Sequence, residues 1–296
     1  MKRIVGSLFV ILTIVACSST SSDKGLVAGE WSDLIDSELS QWDQYLSYMH
    51  QPGYYGAVPK DEEGNDIPPI GMNTPGYDVF TTIQDGDETI IRVSGEYYGA
   101  IITKSEYQNY HLQLKYKWGE LKWGYRKDLL LDSGIMYHSI GESGVDYWRS
   151  WMLSQEFQIM EGHTGDFWSQ MTSSAQVRAY KSEGKITPLA HADQDYQLFT
   201  QFGGQGGYCM RSSNYENAHD EWNRLDLYCF EGKSLHVVNG EVVMILKESN
   251  YVDDKGQTQP LVKGKIQLQS EAAEIFFKDI KIRELQSLSD AQKSLF

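Results

Sequence analysis

Residues 234–246 read SLHVVNGEVVMIL. Two short runs of Val, Leu and Ile flank Asn239-Gly240. That dipeptide adopts positive φ readily, as the two-residue turn between antiparallel strands requires. The stretch is a β-hairpin, and the same texture continues on both sides of it. Upstream lies WNRLDLYCF (222–230), and downstream lie GKIQLQS (264–270) and EIFFKDIKIREL (274–285). Further back come YDVFTTI (77–83), TIIRVS (89–94), YYGAIITK (97–104), YHLQLKYKW (110–118), SGIMYHSI (133–140), QEFQIME (155–161) and AQVRAYK (175–181). Short β-branched and aromatic runs, separated by Gly, Asn or Asp, predict an all-β sandwich or barrel. With no linker-like break, residues 77–285 are expected to form one sandwich and 286–296 a tail.

The N-terminus reads differently. Lys2 and Arg3 precede an apolar run from Ile4 to Val15, too short for a membrane span of about 20 residues. The run ends in TIVAC, which resembles a bacterial lipobox with Cys17 as the lipidated residue, and a Ser/Thr tether follows. Residues 1–17 are therefore expected to be a lipoprotein signal, and the body to sit in the bacterial cell envelope. The absence of Asp after Cys17 favours the outer membrane, with the lipid as the only membrane contact. Residues 18–76 are expected to form a tether and N-terminal extension, with one short helix in DSELSQWDQYLSYM (36–49) capped by Asp36 or Ser37. The segment 50–76 holds most of the seven prolines and reads as irregular.

Charge narrows the partners. The chain has 26 basic and 41 acidic residues, a net of −15, without a basic run. Nucleic acid and anionic membrane surfaces are excluded as partners on that ground. Besides Cys17 there are only Cys209 and Cys229, which could pair in an oxidising compartment or lie buried separately.

Candidate chemistry sits in SQEFQIMEGHTGDFW (154–168). On a regular strand Glu156 and Gln158 share a face and Glu161 has the opposite parity. One β-bulge between Gln158 and Glu161 would bring all three together. EFQIME resembles the E-x-D-x-x-E signature of the laminarinase and lichenase family, but Gln158 stands where that family has Asp. A neutral amide cannot raise a neighbouring carboxyl's pKa by like charge. A solvated acidic strand is the other reading of these residues.

Four ordered blocks carry a wider resemblance: residues 115–141, 148–168, 219–243 and 264–285. Their most specific parts are D-S-G-I-x-Y-H, E-x-Q-I-x-E-G-x-T-G-D-F-W and G-K-I-x-L-Q-S. Together they are similar to the 3-keto-disaccharide hydrolase family over about residues 84–285. The resemblance implies a concanavalin-like jelly-roll β-sandwich, a carbohydrate partner and action on glycosides oxidised at C3. A C3 ketone makes the C2 proton acidic, so a base can form an enolate that expels the C1 substituent before water adds. Such a site needs a base, a holder for the enolate oxygen and an acid near the leaving oxygen.

On this reading Glu156 and Glu161 supply base and acid in an order left open. His138 holds the enolate, shuttles a proton or ligates a metal. Gln158, Arg126, Arg149 and Asp166 are expected to meet sugar hydroxyls, with Asp132 as a further polar ligand. Trp148, Trp151 and Trp168, with Tyr147 beside them, are expected as stacking walls. A divalent cation held by Glu156, Glu161, His138 and Asp166 is the cofactor to look for, although no HxH or HExxH spacing is present. The loop GGQGG (203–207) is expected to be a rim. Two alternatives stay open: a conventional retaining glycoside hydrolase using Glu156 and Glu161, and a non-catalytic carbohydrate-binding sandwich.

Overall fold

The computed structural model describes residues 24–50, 57–146, 148–181 and 187–296. The expected signal segment with Cys17, and Tyr147, lie outside the described residues. The fold is a sandwich of two antiparallel sheets. The smaller runs, in spatial order, through Phe167–Ser169, Leu153–Met160, Asp132–Ile140, Lys263–Ser270, Tyr97–Thr103 and Trp42–Met49. The larger runs through Tyr196–Thr200, Ser173–Arg178, Glu241–Val252, Lys233–Val238, Asn223–Phe230, Tyr110–Lys122, Ala273–Ser287, Glu88–Val93 and Phe80–Asp85. The Asn239-Gly240 hairpin joins two neighbours of the larger sheet, with Asn239 at φ 50° and Gly240 at φ 94°.

Alternation within each strand builds the core. Ile135, Phe157, Ile159 and Leu268 of the smaller sheet meet Leu112, Leu114, Leu225, Leu227 and Phe277 of the larger. Each such side chain contributes about 1.5–3 kcal/mol on burial. His236 is used as a flat filler, stacked on Phe157 at 4.2 Å and hydrogen-bonded through its ring to the Tyr137 hydroxyl and the Gly165 carbonyl.

Two expectations for the N-terminal region are corrected. Residues 36–49 are not a helix: Leu39 takes φ 53°, and Trp42–Met49 is a strand of the smaller sheet. Asp36 does cap, but it caps a turn, accepting from the Glu38 and Ser40 backbone N–H groups. The aromatic run of Trp42, Tyr45 and Tyr48 has both strand propensity and a place to be buried, which overrides local helix signals. The sandwich also begins before Tyr77, since Val27–Ala28 and Ser32–Asp33 pair with Ala273–Ser287. At the other end, Ser289 caps the short helix Asp290–Lys293 in a capping box.

The two cysteines of the body are free and lie in separate apolar clusters. Burial pushes the Cys229 thiol up to about 12 and the Cys209 thiol higher still. In a chain starting at Lys24, neither thiol should react with an aromatic disulfide reagent under native conditions. Both should titrate in denaturant, with no prior reduction needed.

Candidate active site

The strands that feed the core also build a second buried layer on the outer face of the smaller sheet. With Phe157 and Ile159 turned inward, Glu156 and Gln158 face outward; with Leu268 inward, Gln269 faces outward. Such a face would ordinarily be solvated, yet Glu156 is only 3% exposed and Gln269 only 1%. Loops roof it over: the 3-10 turn Gly124–Asp128, Asp146 with Trp148 and Trp151, and the chain around Trp168, Gln201 and Glu271. The result is a cavity of about 460 Å³. Its floor is Glu156, Gln158 and Gln269, and its walls include Trp148, Trp151 and Trp168. Trp168 stands at the rim, 38% exposed, against the Tyr208 ring at 4.5 Å.

Charge in the cavity is unbalanced. Arg126 bridges two carboxyls, reaching Asp132 at 2.5 Å and Glu271 at 2.8 Å. Gln158 donates to the other oxygen of Asp132 at 2.6 Å, and Gln170 donates to Glu156 at 2.6 Å. Burial pushes the Glu156 carboxyl well above its ordinary value, and the charges of Glu271 and Asp132 push it further; the Gln170 and Gln269 amides oppose this. Burial and Glu271 likewise raise Asp132 against the pull of Arg126. Three buried carboxyls share one guanidinium, so this cluster holds protons at pH values where exposed carboxyls have lost them.

Gly134 makes the floor possible. It pairs with Gln158 across the sheet, and a Cβ there would lie 2.3 Å from Gln269 Oε1 and 2.5 Å from Glu156 Oε1. Both side chains lean into the space that the missing side chain leaves.

Residues 30–283 match the model of the 3-keto-alpha-glucoside-1,2-lyase-like domain. The chain belongs to that family. No curated protein matches it in sequence. Among solved structures, one provisionally described as a glycosyl hydrolase from Parabacteroides distasonis is 18% identical at a TM-score of 0.46, covering 87% of this chain and 100% of its own. A Bacillus subtilis protein of unknown function with a galectin-like fold is 11% identical at a TM-score of 0.44, covering 88% and 98%.

Within this 3-keto-glucoside lyase-like chain, the cavity gathers Glu156, Gln158, Arg126, Asp132 and all three tryptophans. Four other expected site residues lie elsewhere. The bulge proposed between Gln158 and Glu161 is absent: the strand pairs regularly to Met160 and then turns, with the Glu161 N–H donating to Leu131. Glu161 thus keeps its opposite parity and stays off the cavity lining.

The bulge is on the neighbouring strand, where one extra residue falls between Tyr137 and Ile140 and His138 takes φ 51°. That irregularity seats His138 against Tyr110 and Tyr137, fully buried, with its pKa lowered to about 3 by burial. It is a neutral ring in the core, unable to relay protons near neutral pH.

Asp166 fastens a turn, accepting from the Arg211 backbone and side chain, the Tyr208 hydroxyl and His163. Arg149 reaches away to Asp66 of the N-terminal region at 2.6 Å, while its carbonyl accepts from Tyr45. The four expected metal ligands therefore do not converge, and no group of three or more metal-ligating side chains forms a cluster among the described residues.

Sequence reading missed Gln269, Glu271, Gln170, Asp146 and Gln201. A signal existed for the first two, which fall in or beside the G-K-I-x-L-Q-S block. Gln201, at the base of the Gly-rich rim, donates to Asp146 and to the Ser169 carbonyl.

The raised Glu156 carboxyl makes a linkage prediction. In the folded chain Glu156 binds a proton that the unfolded chain releases above about pH 4.5. Its contribution to stability is lost as pH rises from there through its folded pKa. Glu156→Gln removes that loss, so the variant's melting temperature minus that of the wild type should grow with pH and then level off. A difference constant from about pH 5 to 9 would contradict the assignment.

Proposed function

We propose that this chain cleaves 3-keto-glycosides by elimination and hydration at the cavity floored by Glu156. The observation that carries the reading is a buried carboxyl of raised pKa, walled by tryptophans and amides in a site large enough for a sugar. Membership of the 3-keto-alpha-glucoside-1,2-lyase-like family supports the substrate class. A base of raised pKa is better matched to an acidified C–H than an ordinary carboxylate.

Glu156 takes the C2 proton, and the C–H electrons form an enolate with its charge on the C3 oxygen. The enolate collapses, the ketone re-forms, the C1–O bond breaks and a C1=C2 double bond appears. The leaving oxygen takes a proton from the acidic cluster of Asp132 and Glu271. Water then adds its hydroxyl to C1 while Glu156 returns the proton to C2. Trp168 at the rim and Trp148 and Trp151 within offer faces for the sugar ring.

The N-terminal sequence supports an exported protein held at the outer membrane through a lipidated Cys17. A retaining glycoside hydrolase using Glu156 and Glu161 is disfavoured: it needs those two carboxyls about 5–5.5 Å apart across one bond, and Glu161 does not line the cavity.

Incubation with a glucoside and with its 3-keto form tests the reading. Only the keto form should be cleaved; cleavage of the plain glucoside overturns the proposal. Glu156→Gln should lower kcat by about 10²–10⁴, whereas Glu161→Gln should stay within about threefold of wild type. The wild-type kcat/KM should rise with pH and inflect above the ordinary carboxylate range, because Glu156 acts only once deprotonated.

A further inference from the structure

We infer that Gln158 is a specificity-determining residue whose carbonyl oxygen accepts a hydrogen bond from a hydroxyl on the far side of the sugar ring, that on C4 or C6. The inference rests on the elimination reading above and adds the substrate group that this reading leaves unrecognised.

Gln158 is the cavity amide that shares a strand with the base, two residues after Glu156 in Leu153–Met160. Across the sheet it pairs with Gly134, which has no side chain to meet it, and it leans along the neighbouring strand to Asp132. Its Nε2 donates to Asp132 Oδ1 at 2.6 Å, while Arg126 pairs with Oδ2. The guanidinium favours the ionised carboxyl, and an ionised carboxyl accepts hydrogen bonds and donates none. A reversed amide would set its carbonyl oxygen against that carboxylate. The ion pair therefore imposes the orientation with nitrogen toward Asp132.

The carbonyl oxygen is left over. It has no hydrogen-bond partner among the described residues, yet, unlike the Trp118 indole N–H, it is not sealed inside the protein. Gln158 is 5% exposed and lines the cavity, so its oxygen opens there. A fixed acceptor selects a donor. A sugar hydroxyl satisfies it, whereas a substrate lacking that hydroxyl leaves the oxygen desolvated with nothing to accept.

The strand sets the position on the ring. Side chains two residues apart on one face stand about 6.6 Å apart. Glu156 leans over Gly134 and Gln158 leans toward Asp132, in the same direction along the sheet, so that spacing is kept. It exceeds the distance between neighbouring ring atoms and suits groups on opposite edges of one ring. With Glu156 at C2, Gln158 meets the edge where C4 and C6 carry hydroxyls. The C3 oxygen, a ketone, has no hydrogen to donate and is no partner for this acceptor.

The test compares kcat/KM for p-nitrophenyl 3-keto-glucoside with that for its 4-deoxy and 6-deoxy forms. Wild type should prefer the parent over one of the two by about 10–100-fold. Gln158→Met keeps the length and loses the acceptor. Whatever its overall rate, its preference should fall to within about threefold. A merely structural role would slow parent and deoxy substrates alike and leave the ratio unchanged. If Gln158→Met fails to fold, Gln158→Asn, which draws the oxygen back by one methylene, reads the same ratio.

A wild-type preference below about threefold against both analogues, or a preference retained in the variant, overturns the role of Gln158 and leaves the elimination reading intact. Failure of the wild type to turn over the parent keto substrate overturns both.

Discussion

Among the described residues that line the cavity Arg126 is the only cation, and it pairs with Asp132 and Glu271 beside the buried Glu156. It sits in a short 3-10 turn that packs over the sheet, so the roof of the cavity and the charge balance of its floor are one device. Each oxygen of Asp132 has a partner, Arg126 on one side and Gln158 on the other. Removing a partner from such a buried ion cluster costs about 3–5 kcal/mol, which exceeds the value of the cluster itself against apolar packing. The arrangement leaves Glu156 a carboxyl that holds its proton well above the ordinary carboxylate range.

The smaller sheet makes this possible by being buried on both faces. Its inner face is an ordinary apolar core. Its outer face is roofed and carries a polar region beside an apolar cluster of Tyr98, Ile102, Met136 and Trp151, and strand alternation delivers Glu156, Gln158 and Gln269 to the polar region. The bulge at His138 lies further along the Asp132–Ile140 strand, past Gly134. It takes the ring of His138 out of the cleft and into the core. The absent side chain of Gly134 leaves the room into which Glu156 and Gln269 lean.

Most of the strands were legible from local pattern, because an Asn-Gly turn and β-branched runs report on themselves. Trp42–Met49 was not: its caps and spacing suit a helix, and only the vacant edge of a distant strand, Tyr97–Thr103, makes it a strand. The site divided in the same way. Glu156 and Gln158 follow from parity on one strand, and the tryptophans from their clustering along the chain. Glu271 and Gln269 lie more than a hundred residues from Glu156, and register across two sheet neighbours brings them to it. Composition singles out acids and histidines, so it favoured His138, Glu161 and Asp166. Whether such a residue meets ligand or fastens a turn is decided by backbone geometry, which residue type does not encode.

The surplus of carboxyls over guanidinium also sets what the cavity excludes. A sugar bearing a carboxylate or a phosphate would bring a further negative charge into a site that already struggles to hold its own. It could enter only by forcing additional protons onto Glu156, Asp132 or Glu271, which would remove the base that the proposed mechanism needs. Uncharged sugars face no such barrier. The electrostatic imbalance that raises Glu156 would thus act as a filter under the proposed function, favouring neutral glycosides over uronates and sugar phosphates before any hydroxyl is recognised.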